Sequence, residues 1–147
     1  RSGFTYETFQ KSLFALHALS IKVIVHLILG LPHETREMMS ASVQAIANLP
    51  VWGIKLQLLH VLSGTDLAAY YEKTHFPVFS MDEYCEMIID CLELLPPEMV
   101  IHRITGDGPK DLLIAPMWST GKRTVLNQIH RRLKERHTYQ GRLATKR

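Results

Sequence analysis

The sequence predicts an α/β fold of about three mostly parallel strands with flanking helices. Three runs, IKVIVHLIL (21–29), GIKLQLLHV (53–61) and VIHRIT (100–105), are rich in β-branched and aliphatic residues, as buried strands are. Helical patterns alternate with them, and repeated strand–helix alternation implies a parallel sheet joined by right-handed crossovers. At 147 residues, 46% of them hydrophobic and 21% charged, the chain can bury one sizeable core.

The elements follow in order. Thr5 can cap a helix running to about Leu19, with Phe9, Leu13, Leu16 and Leu19 at the spacings one helix face requires. After the first strand, a second helix spans about Glu34 to Asn48, and Pro50 ends it. In the strand at 53–61, Ile54, Leu56 and Leu58 point to one side while Lys55 and Gln57 point to the other. The apolar set faces the helices. Residues 63–74 read as a third helix with Ser63 or Thr65 near its cap, and 80–95 as a fourth with a Ser80-x-x-Glu83 capping box, stopped by Pro96 and Pro97. A last helix spans about Ser119 to Arg136, with Val125, Ile129 and Leu133 apolar. From His137 onward little can be buried, and disorder is expected.

Charge divides the chain in two. Residues 119–147 hold nine of the 17 Lys and Arg but, of the 14 acidic residues, only Glu135. The expected organisation is therefore an α/β part over 1–118 and a basic C-terminal helix and tail over 119–147. No apolar run approaches the roughly 20 residues that span a bilayer, so no membrane partner and a cytoplasmic location are expected. Cys85 and Cys91 lie six apart on a helix, on different faces, and read as two buried thiols. The chain opens at Arg1 straight into a helical pattern, and about three strands close no barrel. Both suggest a piece of a longer protein. The sheet edge left by missing strands makes a dimer plausible.

The end of the first strand concentrates the functional signal. In HLILGLPHET (26–35), Gly30 lets backbone approach a ligand, Pro32 ends the strand, and a helix N-terminus follows at the carboxyl edge of the sheet. The other strands also end in glycine-containing turns, HVLSGT (60–65) and TGDG (105–108). Together the three turns build one rim.

HLILGLPHET, GIKLQLLHVLSGTDLAAYYE, the helix 80–95 with its LLPPE, VIHRITGDGP and LLIAPMWS together resemble the later part of a radical S-adenosylmethionine (SAM) protein of the YhcC-type group. There is a weaker likeness to the elongator catalytic subunit. The resemblance implies a fragment of a partial (β/α) radical SAM barrel. It also implies that in the full-length protein a [4Fe-4S] cluster would bind SAM and an electron would cleave it to a 5′-deoxyadenosyl radical. It places the adenine side on Ile28 and Gly30, with backbone from Val61 and Leu62. The CxxxCxxC cysteines of that family are absent, and a cluster needs thiolates, so the chain alone is expected to bind no cluster, hold no metal and catalyse nothing. The substrate is unidentified. The elongator relative acts on tRNA, which makes RNA one possibility, reached through the basic tail.

No single catalytic residue is assigned. The candidates for the barrel lumen are Lys55, Gln57, His26 and Arg103. A charge on an otherwise buried strand is costly without a partner or a wet cavity, which favours Lys55 and Gln57. His26 shares the parity of Ile28 and reads either as a lumen residue or as a hydrogen-bonded core histidine. Arg103 and Asp107 read as an ion pair fixing the last turn, or one of them meets substrate. Glu34 favours the dipole of the helix it opens, so His33 and Glu34 also have a structural reading. His60 and His102 have no partner nameable from sequence, and Trp118 reads as a core anchor. In the tail, His130, Arg131, Arg132, Lys134 and Arg136 either meet phosphate or form a solvated face. Two other function classes compete: a nucleic-acid-binding module on an α/β scaffold, and an unrelated β/α-barrel enzyme with a phosphate site at the GLPHET turn.

Overall fold

A computed structural model describes residues 3–106 and 108–145. Helix α1 (Tyr6–Ala18) begins where the Thr5 hydroxyl accepts a hydrogen bond from the Thr8 N–H. Of its predicted stripe only Leu13 is buried and Phe9 packs partly on the core; Leu19 remains 72% exposed. The helix therefore has more apolar surface than the described residues cover.

Strand β1 (Ile24–Leu29) leads to α2 (Arg36–Ala47), which starts two residues later than predicted because Thr35, not an earlier residue, caps it through the Met38 N–H. Strand β2 (Gly53–Leu58) ends short of the predicted Val61, and Val61–Leu62 form a separate strand, β3. Helix α3 (Asp66–Thr74) is capped by Thr65, and α4 (Met81–Leu94) by the Ser80–Glu83 capping box. Strand β4 (Val100–Arg103), strand β5 (Leu113–Ala115), a 3-10 turn (Met117–Thr120) and α5 (Lys122–Glu135) complete the chain.

The main sheet has the order β1-β2-β4, with both pairings parallel as the alternation predicts. Strands β3 and β5 form a small antiparallel sheet that the sequence pattern did not show. Strands of two and three residues carry too little periodicity to be seen without their partner.

One face of the main sheet holds the core. Leu29, Ile54, Leu56 and Leu58 pack with Val43 and Met39 of α2, Ile88 and Ile89 of α4, and Val125 and Ile129 of α5. Two aromatic side chains find polar partners there: buried Tyr84 donates through Oη to the Ile104 carbonyl (2.6 Å) and partly buried Trp118 through Nε1 to the Phe79 carbonyl (2.8 Å). Trp118 thus ties the 3-10 turn to the segment leading into α4 and packs its ring 5.6 Å from that of Tyr84, at the margin of the core rather than within it.

Residues 138–145 are not disordered. Their backbone folds against the end of α4, with the Gly141 N–H donating to Leu92 O (2.9 Å) and the Leu143 N–H to Glu93 O (2.8 Å). Gln140 Nε2 donates to the carbonyls of Pro96 and Met99, both at 2.8 Å. Glu93, only 8% exposed, accepts from the Thr138 hydroxyl and from Arg142 Nε (2.7 Å). Burial alone would raise the Glu93 carboxyl, but Thr138 and Arg142 outweigh it and hold the pKa below the usual range. Polar side chains, rather than apolar ones, tie this segment down.

Candidate functional site

The face of the sheet opposite the core is bare. In the parallel register of β1 and β2, Ile24 lies opposite Gly53, His26 opposite Lys55, and Ile28 opposite Gln57. Strand alternation sends all of these to the side away from α2 and α4. His26 is exposed, Ile28 is 42% exposed, and Lys55, Gln57 and Arg103 are half-buried. His26 is therefore not a core histidine. Between β2 and β4 the register shifts after Ile54, so that Arg103 rather than His102 stands opposite Lys55. His102 is exposed, and its ring lies 5.6 Å from that of Trp52, which also carries Lys22 Nζ over its face at 4.9 Å.

The strands' carboxyl ends form the rim. Gly30 has φ +91°, a conformation open to glycine, and an added Cβ would lie 3.0 Å from the Phe79 ring. The next turn is tightened by Glu34 N–H to Leu31 O (3.0 Å) and carries His33 at φ 67°. His33 Nε2 lies 2.7 Å from the Tyr70 hydroxyl on α3, which ties the first rim turn to the second. Glu34 precedes the cap and is half-buried; burial raises its carboxyl pKa. The acidic residue in the first turn of α2 is Glu37, so the dipole role predicted for Glu34 falls to Glu37. A cleft of about 390 Å³ opens beside this turn, lined by Gly30, His33, Glu34, Arg36, Phe79 and Glu83.

The second and third turns interlock. A Cβ on Gly106 would come within 2.3 Å of the His60 ring, and one on Gly108 within 2.7 Å of its Nδ1. Gly106 and Gly108 of the predicted TGDG turn thus serve close packing against His60. Val61, fully buried, pairs with Ala115, and Leu62 with Leu113. The Leu62 carbonyl accepts the Thr65 hydroxyl at 2.7 Å. What these two residues can offer a ligand is backbone alone, part of it already engaged. Asp107, and with it the predicted pair with Arg103, lies outside the described residues.

Arg132, Arg136 and Arg142 turn inward to α4. Arg132 meets Asp82 and, at 2.7 Å, Glu86; Arg136 also meets Glu86. The Arg136 and Arg132 hydrogen bonds, working against burial, lower the Glu86 pKa. The fully solvated face considered for these residues is thus, at Arg132, an ion-pair seam.

Both thiols are buried in the core, where desolvation pushes Cys91 up to about 12 and raises Cys85 as well. They do not fit an iron–sulfur cluster, which needs several thiolates converging on one site, whereas these two are protonated in the core. Among the described residues no group of three or more His, Cys, Asp or Glu could hold a metal ion. No helix among them is long and apolar enough to cross a membrane.

Comparison with known proteins agrees with this architecture. The chain is 50% identical over 121 residues to YtqA of Bacillus subtilis (strain 168), covering 82% of the chain and 38% of YtqA. It is 28% identical over 139 residues to YhcC of Escherichia coli (strain K12), covering 95% of the chain and 45% of YhcC. The chain thus spans less than half of these relatives. The structure of the archaeal Methanocaldococcus infernus Elp3 with an N-terminal deletion superposes with a TM-score of 0.77 at 19% identity, covering 94% of this chain and 32% of Elp3, which shows a shared fold. Residues 51–135, from the residue before Trp52 through the end of α5, match the Radical_SAM C-terminal domain, and the chain belongs to that family.

Proposed function

We propose that this chain forms the adenine-side rim and the substrate-facing sheet of a radical SAM enzyme whose longer form carries the cluster. The observation that carries this reading is the bare polar face of β1 and β2 beside the glycine-ended turn at Gly30, in a chain of this family. When bound, the [4Fe-4S] cluster and SAM supply reductive cleavage of SAM to a 5′-deoxyadenosyl radical. The chain's own residues bind and orient. Gly30 keeps the end of β1 free of a Cβ, exposed Ile28 offers an apolar contact to adenine, and Val61 and Leu62 offer backbone. His26, Lys55, Gln57 and Arg103 face the substrate. RNA stays one candidate substrate class, supported only by the basic residues of 119–147. Arg132, Arg136 and Arg142 spend their charge on α4 acids, which favours the sheet over the tail as the reacting surface.

The test is release of 5′-deoxyadenosine by the full-length protein, reconstituted anaerobically and reduced. Release is expected, with SAM affinity falling roughly tenfold in Gly30→Val and Ile28→Asp, the loss of about one good contact. A fully loaded cluster that releases none would end the reading.

A further inference from the structure

The register shift between β2 and β4 places two cations side by side, Lys55 opposite Arg103. His26 stands opposite Lys55 on the other flank, so the three residues occupy consecutive strands in one row. Like charges directly opposite one another destabilise a sheet, and the unshifted register would have set His102 there instead. Bulges that re-aim side chains recur next to functional sites. The other described residues on this face are Ile24, Ile28, Gly53, Gln57, Val100 and His102, none of them acidic. Lys55 is half-buried and carries its charge on a face where none of the described side chains is acidic.

We propose that this row is an anion subsite, the place where a phosphate or carboxylate group of the substrate is held. Resting on the enzyme reading above, it assigns that reading a substrate class: a molecule with an oxyanion beside the atom to be attacked. Lys55 supplies a compact cation and Arg103 a planar fork. Arg103 keeps another contact as well, and its five N–H donors serve both. Gln57, one position further toward the rim, carries a donor and an acceptor with which to orient the group.

The experiment follows the Lys55 ammonium and Arg103 guanidinium NMR signals of the full-length protein, without iron or SAM, during titration with inorganic phosphate and separately with acetate. Saturable shifts at both residues, absent at remote Lys73 on α3, are expected. Lys55→Gln should weaken the binding about tenfold and Lys55→Arg restore most of it, with unchanged melting temperatures excluding a folding defect. Tighter phosphate binding assigns a phosphorylated substrate, tighter acetate binding a carboxylated one. Shifts that are linear, or no larger than those of Lys73, overturn the subsite. Deoxyadenosine release is read separately, so a silent cluster with a working anion site and the reverse are told apart.

Discussion

The three parallel strands present two faces of opposite character. Toward α2, α4 and α5, Leu29, Ile54 and Leu56 are fully buried in one continuous core. Toward the other side, residues one position along the same strands are His26, Ile28, Lys55 and Gln57, none of them fully buried. The difference separates two tasks within a period of two residues: one face supplies stability, and the other, freed from that task, can carry polar chemistry at some cost.

The largest expected effect breaks this comparison at its centre. Leu56→Ala should cost about 3 kcal/mol, because a fully buried leucine leaves a cavity the sheet cannot close. Its neighbour Gln57→Ala should change stability by no more than about 0.5 kcal/mol. Urea unfolding of both variants checks the pair. Equal losses would mean that the second face is packed against something too.

This division was legible in the sequence because β2 alternates without a fault from Ile54 to Leu58, and parity alone assigns each side chain. The bulge was not legible: HRIT gives no sign that Arg103, rather than His102, will stand opposite Lys55. That choice is made by the geometry of the pairing. The turn glycines were visible as a rim, but their interlock with His60 required two segments some 45 residues apart in sequence to meet. The tail misled for a different reason. Its polar composition argued for disorder, whereas Glu93, a carboxylate on a helix otherwise flanked by Leu92, Leu94 and Leu95, was the available signal that a donor had to come from elsewhere. Thr138 and Arg142 are those donors.

The covered face depends on α4, and α4 is held at its end by that tail, so a medium-sized effect is expected there. Glu93→Gln should cost about 1 to 2 kcal/mol near neutral pH, discounted because Arg142 is partly exposed. The pKa of Glu93, like that of Glu86, is lowered in the folded protein. Both carboxylates therefore stabilise above the ordinary glutamate pKa of 4.5, and that stability is lost as the pH falls through their lower folded values. Melting temperatures between pH 7 and pH 3 should fall less steeply for Glu93→Gln than for the unaltered chain. Parallel curves would show that Glu93 is not a significant part of the acid sensitivity.

The smallest effect sharpens the comparison most. If the bare face is shaped for a ligand rather than for folding, removing one of its opposed cations should not hurt the fold. Lys55→Met keeps the length of the aliphatic stem and removes the charge facing Arg103, so it should leave stability unchanged or raise it by about 0.5 kcal/mol. A gain that shrinks on adding salt would identify relieved repulsion as its source, since screening weakens that repulsion in the unaltered chain. A loss above about 1 kcal/mol would mean that Lys55 already has a stabilising partner on this face, and the two faces would then differ in packing but not in purpose.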